Sequence, residues 1–204
     1  MVKYVLNYFS IAGRGEPARL MFHAAGVNFT DNTLKFNDWA AQKNDVIRFP
    51  LGQMPTLEVD DVVICQSGAI YSFLANEFGF YGDTNMERAT IDQVRETMNE
   101  VFEALMKIKY DKSLEGEAKD KAIADHFANS KNKLNFLVKQ AKGKFFLGDK
   151  VSIVDFLYFV FHEYFVSLYP AVTAEYPKLT ALHDAVGDID NIKKYVSTRT
   201  SYIH

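Results

Sequence analysis

Cysteine is nearly missing from this chain: Cys65 is the single one in 204 residues. A disulfide needs two, so no internal disulfide framework holds the fold, and the composition suits a reducing compartment. Basic runs are missing as well. Lys and Arg number 23 against 26 Asp and Glu, and the net charge of −3 argues against general binding of nucleic acid. No stretch of 18 apolar residues occurs, so no membrane span is expected. The five histidines are scattered, and none stands four residues from another, so no metal site is expected. Met1 to Phe9 starts at once on strand-like alternation, which reads as mature sequence without a leader. A cytoplasmic protein is expected.

Apolar residues, by contrast, are plentiful. At 48% hydrophobic, a chain of this length has material for a sizeable core and can bury about 70% of its unfolded surface. Lys3 to Tyr8 reads as a strand, and Gly13-Arg14-Gly15 as a loop. Glu16-Pro17 opens a helix that Gly26 ends, with proline in the first turn and an acid at the positive end of the dipole. Phe29 to Leu34 is a second strand, and Trp39 to Asp45 is weakly helical. A hairpin and a helix to Phe78 complete a mixed domain over residues 1–80. Past Gly79 to Asp83 no strand signal survives, and residues 81–204 read as all-helical. Asn85 to Tyr110 carries Ile91, Val94, Met98, Val101, Phe102 and Leu105 at helical spacing. Glu117 to Ala141 reads as one further long helix and Val154 to Leu168 as a buried one. Shorter helices fall near 178–186 and 191–197. Ser152 and Asp155 fit a capping box in outline, a structural device worth about 1 kcal/mol.

Gly52 to Ile70 points most directly at a ligand. Thr56 to Val59 and Val62 to Cys65 are β-prone runs about the Asp60-Asp61 turn, and Met54-Pro55 stands at the strand entrance, where a missing N–H does no harm. A cis bond there would turn the chain sharply and offer the Met54 backbone to an extended peptide. Gln66-Ser67 then meets a helix start, which taken alone reads first as an ordinary cap, caps being common, and second as a carboxylate site.

Together these segments resemble the cytosolic glutathione transferases. The resemblance rests on Tyr8 at a strand end, Arg14 before a helix, Trp39 with Lys43, Gln53-Met54-Pro55, Gln66-Ser67 and the Ser152–Asp155 box. Asn7-Tyr8-Phe9, Gly13 to Glu16 and Asp38-Trp39 look most like the sigma class, which includes helminth enzymes and haematopoietic-type prostaglandin D synthases. The resemblance implies a thioredoxin-like N-terminal domain, an all-α C-terminal domain and a homodimer. The loop after Tyr8 holds no cysteine, so the thiol must come with glutathione, the expected cosubstrate.

The resemblance also implies roles. Tyr8 would donate its phenol hydrogen to the glutathione sulfur, and Arg14 would add positive potential or fix the loop. Lowering a thiol pKa by about two units needs ~2.7 kcal/mol of preference for the thiolate. Trp39 and Lys43 would meet the glycine carboxylate. Gln53, Met54 and Pro55 would hold the cysteinyl part, and Gln66 and Ser67 the γ-glutamyl end. Glu96 stands where the family presents an acid from the other subunit. Phe9, Arg14, Met98, Phe102 and Phe161 are candidates for a hydrophobic-substrate site. Phe49 lies in a region where some relatives carry an aromatic dimer key, and Asp92, Glu96 and Glu100 share one helical face. The leading expectation is glutathione conjugation to hydrophobic electrophiles, in detoxification. Alternatives are glutathione-dependent isomerisation of prostaglandin H2 to D2, a carrier of haem or lipid, or a lens crystallin.

Overall fold

The computed structural model describes residues 2–199; Met1 and residues 200–204, His204 included, lie outside them. The chain divides into two compact units, Met1–Tyr81 with Gly187–His204, and Gly82–Val186.

In the first unit a four-stranded mixed sheet has the order β2-β1-β3-β4, formed by β1 (Tyr4–Phe9), β2 (Thr30–Leu34), β3 (Thr56–Val59) and β4 (Val62–Cys65). β1 runs parallel to β2 and antiparallel to β3, and β3 and β4 form the expected hairpin. Tyr4, Leu6 and Tyr8 alternate along β1 and are buried, the period-two pattern of one sheet face. Asn7 points the other way and is buried too. Its amide donates to Thr56 and Glu58 and accepts from Asn32, so each neighbouring strand satisfies it.

Helix α1 (Glu16–Ala25) starts with proline in its first turn and stops at Gly26 in the left-handed conformation. It packs beside α3 (Ser67–Glu77), burying Leu20, Met21 and Phe22 from one and Ile70, Tyr71 and Leu74 from the other. α2 spans Phe36–Gln42, three residues earlier than its weak apolar signal suggests, and buries none of its side chains.

The second unit is helical: α4 (Asn85–Tyr110), α5 (Gly116–Asn129), α6 (Lys131–Gln140), α7 (Ile153–Leu168), α8 (Val172–Glu175) and α9 (Pro177–Gly187). α4 buries Ile91, Val94, Met98, Val101 and Leu105, a stripe at helical spacing, and packs on α5, α6 and α7. The single long helix expected over 117–141 is two helices. Ser130, buried, closes α5 with its N–H on the His126 and Phe127 carbonyls and opens α6 with its own carbonyl. Twelve of the sixteen residues of α7 are buried. Its capping box is complete, with Asp155 accepting from Ser152 and from the Phe146 N–H. Burial raises the Asp155 carboxyl to about 6 against the pull of those bonds.

Chain periodicity alone assigns the last helix, α10 (Asp190–Thr198), to the helical part; its contacts put it against α1 instead. Tyr195 donates to the buried Glu16 carboxylate at 3.0 Å, and Arg199 bonds it at 2.6 Å. Arg19 completes the pairing of Glu16 and reaches Asp31 at 2.8 Å. Among the described residues no helix is long and apolar enough to cross a membrane.

Candidate functional site

A cleft of about 350 Å³ opens on the first unit, lined by residues of β1, the following loop, α2, the β3 entrance and the β4–α3 junction. It gathers Phe9, Arg14, Trp39, Gln53, Met54, Pro55, Gln66 and Ser67, eight of the residues singled out from the sequence. Leu51, Gly52 and Cys65 line it too, and sequence reasoning gave them no site role. Gly52 and Cys65 lie within the Gly52 to Ile70 stretch that pointed at a ligand, and Leu51 immediately precedes it.

The β4–α3 corner differs from an ordinary cap. Ser67 is the first helical residue, and the cap position belongs to Gln66 at φ 71°, ψ 121°, with no capping side-chain bond. Left-handed φ is costly for a residue with a Cβ, which is the kind of local strain found at ligand sites. Helix geometry leaves the first N–H groups of α3 without an intrahelical acceptor, so the helix presents donors beside the cleft. The Met54-Pro55 peptide bond is cis.

Tyr8 is buried and is not among the cleft-lining residues. The loop from Ala12 to Gly15 wraps its ring. The Arg14 N–H donates to the Tyr8 phenol oxygen at 3.0 Å. A Cβ at Gly13 would stand 2.6 Å from that oxygen, and one at Gly15 would stand 2.4 Å from the ring. No side chain fits at either position without moving Tyr8. The Arg19 guanidinium lies 5.8 Å from the ring centre, a buried positive charge next to the phenol.

Trp39 is held by aromatic neighbours, edge-on to Phe9 at 5.9 Å and to Phe49 at 4.9 Å. Phe9 also stacks on Phe36 at 4.2 Å. Lys43 follows Trp39 by one turn, with its N–H on the Trp39 carbonyl, but its side chain is exposed and outside the lining. Phe49 is wholly buried.

Glu96 belongs to the second unit, where it is exposed and lies 3.2 Å from Arg95. Asp92 also pairs with Arg95, and Glu100 with Lys133, so this acidic face carries its own cations. Among the described residues no group of three or more metal-ligating side chains is assembled. Of the hydrophobic-substrate candidates, Phe9 and Arg14 belong to the first unit and Met98, Phe102 and Phe161 to the second. There Phe102 and Phe161 stack at 3.9 Å, and Met98 is buried.

The family description "Glutathione S-transferase, N-terminal domain" matches residues 4–76, and "Glutathione S-transferase, C-terminal domain" matches residues 96–199. Glutathione S-transferase 1 of Ascaris suum is 33% identical over 204 residues, covering 98% of each chain. Hematopoietic prostaglandin D synthase of Gallus gallus is 32% identical over 201 residues, again covering 98% of each. A crystal structure of a major nematode-specific transferase of Caenorhabditis elegans superposes with a TM-score of 0.87 at 30% identity over 98% of both chains.

Proposed function

Given that the chain belongs to the glutathione S-transferase family, we propose that it conjugates the glutathione thiolate to hydrophobic electrophiles, in detoxification. The observation that carries this reading is the cleft that gathers Arg14, Trp39, Gln53 to Pro55 and the uncapped start of α3, with the Tyr8 phenol bonded to the Arg14 N–H.

In this reading glutathione lies along the cleft. Gln53 and Met54 pair with its cysteinyl backbone, and Pro55 shapes the strand entrance beside them. The γ-glutamyl carboxylate takes the open N–H groups at Gln66 and Ser67, favoured by the helix dipole. Trp39 and Lys43 receive the glycine carboxylate. Tyr8 keeps its proton and donates it as a hydrogen bond to the sulfur, while Arg14 contributes positive charge at the cleft. The thiolate then attacks an electrophilic carbon, forming the C–S bond as the leaving group departs or as a double bond takes up the electron pair. Phe9, Arg14, Met98, Phe102 and Phe161 are proposed to receive the hydrophobic acceptor. The enzyme acts in the cytoplasm as a homodimer, with Glu96 of one subunit serving the glutathione amine of the other.

The test is Tyr8→Phe, assayed for conjugation of a chlorinated nitrobenzene. Loss of one such donor should lower kcat/KM by about 10²-fold, with retention on a glutathione resin preserved. Undiminished turnover would remove Tyr8 from the chemistry. The prostaglandin D synthase relative supports a second reading, isomerisation of prostaglandin H2 by the same thiolate. Analysis of the products formed from that substrate separates the two.

A further inference from the structure

We propose that Tyr71 is a positioning residue for Tyr8, holding the Arg14 loop so that the Tyr8 phenol keeps its aim and its acidity. The proposal rests on the reading of Tyr8 as the donor to the thiolate.

Tyr71 lies in the first turns of α3 and is buried. Its hydroxyl donates to the Arg14 carbonyl at 2.5 Å, across 57 residues of sequence. On the other side of the same residue, the Arg14 N–H donates to the Tyr8 oxygen. Arg14 is thus gripped at both its peptide groups, by one tyrosine as acceptor and by the other as donor. The loop needs such a grip. With Gly13 and Gly15 flanking Arg14, it is the segment near Tyr8 with the greatest backbone freedom. The glycines are required by the Tyr8 ring, so stiffness has to come from outside the loop.

The bond into the Tyr8 oxygen also affects chemistry. A phenol that accepts a hydrogen bond becomes a stronger donor of its own proton, since hydrogen bonds in a chain polarise one another. Burial holds the Tyr71 phenol far above the ordinary tyrosine range, so it stays protonated and its one hydrogen remains on Arg14. One line of polar contacts runs from Tyr71 on α3 through Arg14 to Tyr8.

Tyr71→Phe removes one hydroxyl and keeps the ring. The pKa of the enzyme-bound glutathione thiol, read from thiolate ultraviolet absorbance, should rise by about 0.7 unit. kcat/KM at pH 6.5 should fall about fivefold, the size expected for one lost buried hydrogen bond, with the acid limb of the pH profile moved to higher pH. KM for glutathione should change less than about twofold, and Tyr71→Phe should cost nothing further in a Tyr8→Phe background. Tyr71→Met, which also removes the hydroxyl from this buried position, should move the profile in the same direction, and it serves if Tyr71→Phe fails to fold. An unmoved profile, or a loss equal at every pH, would overturn the proposal. If Tyr8→Phe itself leaves the thiol pKa and turnover unchanged, the reading of Tyr8 falls instead.

Discussion

Two missing side chains decide where Tyr8 sits. Gly13 and Gly15 touch its phenol at distances no Cβ tolerates, and Gly13 also takes a left-handed φ of 40°. Gly15→Ala should displace the ring and lower kcat by about tenfold or more, because small errors in placement are costly in catalysis. Resin retention should persist, since the cleft residues from Gln53 to Ser67 are untouched; a variant with full kcat would refute the placement argument. Tyr8, Trp39, Gln53 to Pro55 and Gln66-Ser67 were singled out through the family resemblance, since a strand-end tyrosine, a lone tryptophan or a helix start taken alone reads as ordinary packing or capping; the structure gathers all but Tyr8 around one cleft. Tyr71 was not singled out. A tyrosine on an apolar helix face reads as core, and its partner is 57 residues away.

Helix α7 carries two buried titratable groups with opposite responses to acid. Burial and the stacked His183 ring at 4.6 Å lower His162 to about 4, with Thr180 at 3.2 Å and Asp184 nearby. Below about pH 6.5 the unfolded chain binds a proton that folded His162 refuses, so stability is lost as pH falls from 6.5 to 4. Asp155, raised to about 6, takes its proton in the folded state first, and its effect favours the fold as pH falls from 6 towards 3.8. In thermal unfolding between pH 7 and pH 4.5, His162→Gln should lose less Tm than the parent, and Asp155→Asn should lose more. Parallel losses in all three proteins would contradict the assignment. α4, with an unbroken stripe of apolar residues, was readable to its ends, as was the β3–β4 hairpin. The break at Ser130 was not, because α5 and α6 continue one apolar pattern and only a backbone bend separates them. α8 is four residues long, too short for any period to show.

For the whole molecule, the proposed homodimer needs an apolar contact, and the loop after α2 offers one. Val46, Ile47 and Leu51 are 71%, 81% and 55% exposed, whereas Phe49 is turned inward beneath Trp39 and Arg48. If this loop joins two copies, the contact falls on Val46 and Ile47. Ile47→Asp should convert the dimer to a species of half the mass in sedimentation at micromolar concentration, because it would bury an unpaired charge. A dimer unaffected by the change would place the contact elsewhere.

The tie between Glu16 and the helix at 190–198 bears on how the chain comes off the ribosome. Nascent domains commonly fold in order, the first emerging finishing before the next is made. Here the buried carboxylate of Glu16 meets Tyr195 and Arg199 only across 179 and 183 residues. The unit that is synthesised first is therefore finished last: its sheet can assemble early with Arg19 beside the Glu16 carboxylate, but Tyr195 and Arg199 reach that buried anion only after the whole second unit has been made.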